Sequence, residues 1–219
     1  GHVPMSGESV TIVNGSTISV NVNTTLINDL IINVGGELIV LNIVSSTLAI
    51  DGNITVNGTL TNNGKIDLIN YGYAFNMGPG STYTHNPRLN VANDENIFEN
   101  GIENFDVNSN LIILKWNLLS IPLGDPTRVT GNFGNITLSV PGEWDQDGRF
   151  AISRIRGDLT ITNGTIIMDD GTLGSNTLTL NDVVVTGTGN IIFQKGANRS
   201  LILSCASFTD NSTSTLLSK

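Results

Sequence analysis

Asp29-Leu-Ile-Ile-Asn33, Thr47-Leu-Ala-Ile-Asp51 and Lys65-Ile-Asp-Leu-Ile69 decide how this chain is read. The three short apolar runs start at 29, 47 and 65, so both steps are 18 residues. Each run meets a turn: Val34-Gly35-Gly36, then Gly52-Asn53, then Asn70-Tyr71-Gly72. A strand and a turn recurring at a period of about 20 residues mark a solenoid, whose single repeats cannot bury their apolar face alone. Alternate residues of a strand share a face. Leu30, Ile32, Leu48, Ile50, Ile66 and Leu68 are therefore expected to stack as two inward columns.

The same grammar returns later. Asn135-Ile-Thr-Leu-Ser-Val140, Asp158-Leu-Thr-Ile-Thr162, Thr177-Leu-Thr-Leu-Asn181 and Leu201-Ile-Leu-Ser-Cys205 occupy like places, with starts stepping by 23, 19 and 24 residues. Second strands follow at Glu37-Leu-Ile-Val-Leu41, Ile54-Thr-Val56, Thr165-Ile-Ile-Met168 and Val183-Val-Val185. Two or three short strands per turn of roughly 18 to 24 residues fit a right-handed parallel β-helix, each coil bonding to the coils above and below. No stretch shows the long 3.6-residue periodicity of an amphipathic helix.

Composition agrees. Asn is the commonest residue, ahead of Ile, Gly and Thr. Val, Ile and Thr suit a half-buried pleated surface, and Asn and Gly suit tight corners. Asn33 and Asp51 fall at like corners, with Asn70 near the next. They form either a hydrogen-bonded ladder or separate caps, one per turn. The net charge of −9 argues against nucleic acid, which needs a basic stripe, and against an anionic membrane surface. The chain has one cysteine, Cys205, sharing a strand face with Leu201 and Leu203 and read as a small core residue. No apolar run is long enough to span a bilayer.

The 219 residues suit one β-helix domain over 6–219, with residues 1–5 read as a cloning remnant. The section from about 71 to 134 does not keep the 18-residue step. It holds all three tyrosines, Pro79, Pro87, Pro122 and Pro126, and an acidic run of Asp94, Glu95, Glu99, Glu103 and Asp106. Distorted coils with projecting loops are expected there, and such loops often carry function.

Phe75-Asn-Met-Gly-Pro-Gly-Ser81-Thr82-Tyr83-Thr84-His85-Asn86 resembles a recurring segment of large secreted proteins of the Bacteroidetes. In those proteins a Gly-Ser-x-Tyr-x-His phrase precedes a Trp-bearing strand, a proline-bearing stretch and a Phe-Gly-Asn phrase. The later parts here are Lys115-Trp116-Asn117, Ile121-Pro122 and Asn132-Phe133-Gly134-Asn135, and an earlier phrase is Asn57-Gly-Thr-Leu-Thr-Asn-Asn-Gly64. The likeness covers roughly residues 10 to 200. It implies a β-solenoid region of a large secreted or outer-surface protein, exported by a type IX-like route, with adhesion as its role. The acidic run departs from the pattern.

Several groups are candidates for chemistry. Trp116, Tyr83, Tyr71 and Tyr73 cluster around the break and suit a sugar-stacking face, since aromatic rings offer broad apolar surface. Ordinary packing is the simpler reading. Glu143, Asp145 and Asp147, in Glu143-Trp-Asp-Gln-Asp-Gly148, are the best calcium candidates, although Ca²⁺ wants six to eight oxygens and a solvated turn paired to Arg149 or Arg154 explains them as well. No catalytic residue and no required cofactor emerge. Polysaccharide lyases and hydrolases share the fold, but a fold alone confers no activity. The pairs Thr160/Thr162, Thr177/Thr179 and Thr186/Thr188 suggest an ice-binding ladder but are read as ordinary outward positions. The expectation is thus a monomeric structural or adhesive segment whose partners are cell-surface or environmental glycans. The runner-up is a carbohydrate-binding or polysaccharide-degrading module.

Overall fold

The computed structural model describes residues 4–44, 46–70, 72–88, 101–115, 133–145, 155–167, 176–192 and 201–213, with backbone alone at 101, 143–145, 167, 176–181, 192 and 201–204. Within them the fold is all β, and every ladder is parallel. The strands are β1 (Val10–Ile12), β2 (Thr17–Val20), β3 (Leu30–Ile32), β4 (Glu37–Val40), β5 (Thr47–Ile50), β6 (Ile54–Val56), β7 (Thr59–Asn62), β8 (Lys65–Leu68), β9 (Tyr73–Met77), β10 (Thr82–His85), β11 (Gly101–Phe105), β12 (Asn110–Ile113), β13 (Asn135–Asp145), β14 (Leu159–Ile167), β15 (Asn176–Ile192) and β16 (Leu201–Ser212). They stack as a parallel β-solenoid with a nine-stranded sheet, a five-stranded sheet and the pair β5–β8.

The nine-stranded sheet runs β2-β4-β7-β10-β12-β13-β14-β15-β16 and carries the spine of the molecule. Two inward columns follow its register. The first is Ile18, Leu38, Leu60, Tyr83, Leu111, Ile136, Leu159, Val183 and Phe208. The second lies two residues on: Val20, Val40, Asn62, His85, Ile113, Leu138, Ile161, Val185 and Asp210. The interior members of both columns are buried. Period-2 alternation on each short strand produces this, because one slip in register would turn the whole apolar set outward.

The six residues of the opening repeats are all buried, but not in the expected stack. Leu30 and Ile32 lie on Ile54 and Val56, while Leu48 and Ile50 lie on Ile66 and Leu68. The step from 47 to 65 is a true coil step. The step from 29 to 47 passes from one side to another within a single coil, because β3, β4 and β5 all belong to it. The 19-residue step from 158 to 177 fails in the same way, since Leu159 pairs with Val183 whereas Thr177 pairs with Ile202. The 23-residue step is sound: Ile136 pairs with Leu159.

The section from 71 to 134 is more regular than expected where it is described. β9 and β11 extend the five-stranded sheet, and β10 and β12 extend the nine-stranded one, without a register shift. Its coils lengthen instead: Thr59 to Thr82 is 23 residues and Thr82 to Asn110 is 28.

Corners are made by Asx side chains and by close backbone approach. Asn70 bonds Asp51 across one coil, so part of the expected ladder forms. Asn33 stands at a different corner, between β3 and β4. A longer ladder runs along the entry to the nine-stranded sheet. Asn135 Nδ2 donates to Asn110 Oδ1 at 3.2 Å, Asp158 N–H to Asn135 Oδ1 at 2.9 Å, Asp182 N–H to Asp158 Oδ1 at 3.2 Å, and Ser207 Oγ–H to Asp182 Oδ1 at 2.8 Å. Gly164 has φ +79°, and a Cβ there would overlap the Val140 carbonyl oxygen. That corner turns without breaking β14, which gives the later strands their length.

Candidate functional site

The phrase with the most chemical promise in the sequence, Gly80-Ser-Thr-Tyr-Thr-His85, is a packing device. Gly80 takes φ +70°, which L side chains rarely adopt, and closes the turn before β10. Ser81 is buried, and its hydroxyl donates to the Gly78 carbonyl at 2.7 Å. Alternation then sends Tyr83 and His85 inward and leaves Thr82 and Thr84 outside. The Tyr83 hydroxyl and His85 Nδ1 share a hydrogen bond of 2.9 Å. Burial pulls the His85 pKa down to about 3, so the ring is neutral at pH 7.

Tyr83 therefore corrects one expectation. It was a candidate for a sugar-stacking face, but it is fully buried, edge-on to Phe75 with ring centroids 5.2 Å apart. Phe75, Phe105 and Phe133 continue an aromatic stack through successive coils at 4.9 and 5.3 Å, all with steep interplanar angles. Edge-to-face contacts of this kind are worth about 0.5–1.5 kcal/mol each beyond the area they bury. The Phe133-Gly134-Asn135 phrase has the same character. Phe133 fills the core, a Cβ on Gly134 would overlap the Asp106 carbonyl oxygen, and Asn135 joins the Asx ladder.

Glu103, from the acidic run, is also inside. It lies on β11 opposite Phe75, in an inward column with Leu30 and Ile54. Asp106 instead shapes a turn, its Oδ1 accepting the Asn108 N–H at 2.8 Å. Asp94, Glu95 and Glu99 lie outside the described residues.

Of the other expected site residues, Tyr73 opens β9 and is half-exposed. Tyr71 and Trp116 lie outside the described residues. Glu143 and Asp145 lie in β13, opposite Thr165 and Ile167, and not in a tight turn. Their side chains, and Asp147 altogether, lie outside the description, as do Arg149 and Arg154. Among the described residues no group of three or more His, Cys, Asp or Glu is placed to share a metal ion. Cys205 is free and packs against the edge of the core. No helix among the described residues is long and apolar enough to cross a membrane.

The feature that the sequence reading missed is on the outer face of the nine-stranded sheet. Ser19, Ile39, Thr61, Thr84, Ile112, Thr137, Thr160, Val184 and Thr209 stand in one outward column. All are half-buried or exposed, and none is charged. Thr160 was noticed as part of a local pair, but its companions at 61, 84 and 137 emerge only when the register is known. Coil lengths of 20 to 28 residues hide the column from any fixed-period search.

Comparisons with protein-family models, curated proteins and solved structures found no match to this chain.

Proposed function

We propose that this chain is a structural and adhesive β-solenoid segment of a secreted or outer-surface bacterial protein. The carrying observation is the nine-residue uncharged column on the outer face of the nine-stranded sheet, on a chain whose net charge is −9. Eight of its nine members are Thr, Ile or Val, which are stiff at χ1 and lose little freedom on contact. Such a stripe gives an acidic rod a line of uncharged contacts beside the outward column that carries Glu37, Asp158 and Asp182. The Gly-Ser-x-Tyr-x-His and Phe-Gly-Asn phrases support the assignment to surface proteins of the Bacteroidetes type. Cell-surface or environmental glycans are the partners of this reading.

The test is adhesion under flow. Beads coated with the protein should hold to glycan-coated glass more strongly than bare beads. Thr84→Lys combined with Thr137→Lys should lower the detachment force while leaving the circular dichroism spectrum unchanged. Equal retention of coated and bare beads would refute the adhesive reading.

A further inference from the structure

Basic residues are scarce on this chain of net charge −9, and among the described residues they are Lys65, Arg88, Lys115 and Arg156. The first three stand at one corner on successive coils, where the nine-stranded sheet gives way to the β5–β8 pair. The register that joins β7 to β10 continues around this corner. Thr61 pairs with Thr84, and Asn86 Nδ2 donates to Asn63 Oδ1 at 2.7 Å. Arg88 N–H then donates to the Gly64 carbonyl at 3.1 Å, as Lys65 N–H does to the Ser46 carbonyl one coil below. Arg88 therefore stands over Lys65 at the inter-strand spacing of about 4.8 Å. Lys115 follows on the next coil, where Leu114 N–H donates to the His85 carbonyl at 2.9 Å. The cations are not neutralised alike. Lys65 Nζ lies 3.2 Å from the Asp67 carboxylate. Arg88 is half-buried, and its Nη1 is buried with no hydrogen-bond partner among the described residues. A guanidinium stripped of water at one nitrogen and given no acceptor carries a desolvation cost that a bound anion offsets.

We propose that Lys65 and Arg88 bind the acidic group, carboxylate or sulfate, of a glycan. The inference rests on the glycan reading above and names the kind of glycan. Two cations one strand spacing apart suit the oxygens of a single carboxylate or sulfate: a guanidinium meets two oxygens with its fork, and an ammonium adds a point charge. Partial burial strengthens both, because the effective dielectric falls away from bulk water. The net charge of −9 does not forbid an acidic partner. The Debye length is about 8 Å at physiological salt, so distant carboxylates are screened and the cations at the corner set the local field. The rows leading to them suit a sugar as well. Thr61 and Asn63 precede Lys65, and Thr84 and Asn86 precede Arg88, at alternate positions that share a face. Their hydroxyl and amide groups both donate and accept, as sugar hydroxyls require. Thr84 also belongs to the uncharged outer column, so the site continues the adhesive face around the corner.

Titration calorimetry of the full chain decides it, with an oligogalacturonate, a sulfated galactan oligosaccharide and a neutral galactan oligosaccharide as probes. The first two arms tell which acid the site takes. At least one of them should bind about tenfold or more tighter than the neutral probe, the worth of one charge-assisted contact. Arg88→Gln and, independently, Lys65→Gln should each remove that advantage and keep the parent circular dichroism spectrum. Arg156→Gln, at an exposed cation on a distant coil, should keep the advantage. Equal affinity for acidic and neutral probes overturns the site and leaves glycan binding standing. Absence of binding by all three overturns both. An advantage that survives in Arg88→Gln and Lys65→Gln, or that falls equally in Arg156→Gln, overturns the assignment to this corner. A polyglutamate peptide that binds as tightly as the acidic probes overturns the choice of a glycan.

Discussion

Two columns of side chains run side by side through the same nine strands, and they are built for different ends. The column from Ile18 to Phe208 is apolar apart from the Tyr83 hydroxyl. Its neighbour, two residues along each strand, includes Asn62 and His85 mid-way and closes on Asp210. Backbone, register and burial are shared, so the contrast lies in the side chains alone. It teaches that a parallel stack tolerates polar interior positions even when they are partnered in part, since the buried Asn62 Nδ2 has no hydrogen-bond partner among the described residues. Asn62 Oδ1 accepts the Gly64 N–H at 3.2 Å, and His85 bonds Tyr83. Each such bond offsets part of the desolvation cost of the buried group.

The largest expected effect comes from cutting the apolar column. Leu60 is fully buried between Leu38 and Tyr83. Leu60→Ala should cost about 2–5 kcal/mol, the transfer loss plus a cavity that a stacked coil cannot collapse to fill. Asn62→Ala on the same strand should cost about 1–3 kcal/mol, because it mainly strands the Gly64 amide. Urea unfolding of both variants measures the difference. Equal losses would show that the two columns do the same job.

This contrast marks how far the sequence could be read. Alternation told which residues point inward, and every one of Leu30, Ile32, Leu48, Ile50, Ile66 and Leu68 is buried. It could not tell which side of the coil each one serves, because an 18-residue hop within a coil looks like an 18-residue coil step. The parallel β-helix was legible for that reason, and the stacking was not. Site residues were harder still. Tyr83 and His85 look like surface chemistry in a Thr-rich phrase, yet the i, i+2 spacing that joins them on one face also turns them both inward. The uncharged outer column was invisible, since its members are spaced by unequal coils and none is unusual alone.

The second effect is on pH dependence and belongs to His85. Its folded pKa of about 3 lies below the ordinary value of 6.5. The unfolded state therefore binds more protons between those values, and stability rises with pH across that window. The contribution is complete above about pH 6.5 and is lost as pH falls toward 3. At pH 4 the loss should amount to about 3 kcal/mol, at 1.36 kcal/mol per pH unit below the unfolded pKa. His85→Gln keeps a polar group at the position and removes the titration. Its unfolding free energy should fall less than the parent's between pH 7 and pH 4. Parallel pH profiles would mean that the imidazole is protonated within the fold, and that the polar column is wetter than its burial shows.

The smallest effect on stability is expected at Asp210, where the second column ends in water. Its carboxyl is held below the usual carboxylate range by hydrogen bonds from the Ser212 hydroxyl and backbone amide, so it stays charged well into the acid range. It is exposed, and Asp210→Val should leave the urea midpoint nearly unchanged. What should change is assembly. Valine there would carry the column Leu138, Ile161, Val185 out to the edge strand and remove the inward charge that keeps β16 from pairing. Two chains could then pair through their β16 edges. Light scattering should rise with concentration as chains pair, and an Asp210→Lys variant that stays at the parent size would tie the guard to charge and not to the carboxylate itself. An Asp210→Val variant that never grows beyond the parent species would show that the charge at the end of the column does not guard the β16 edge.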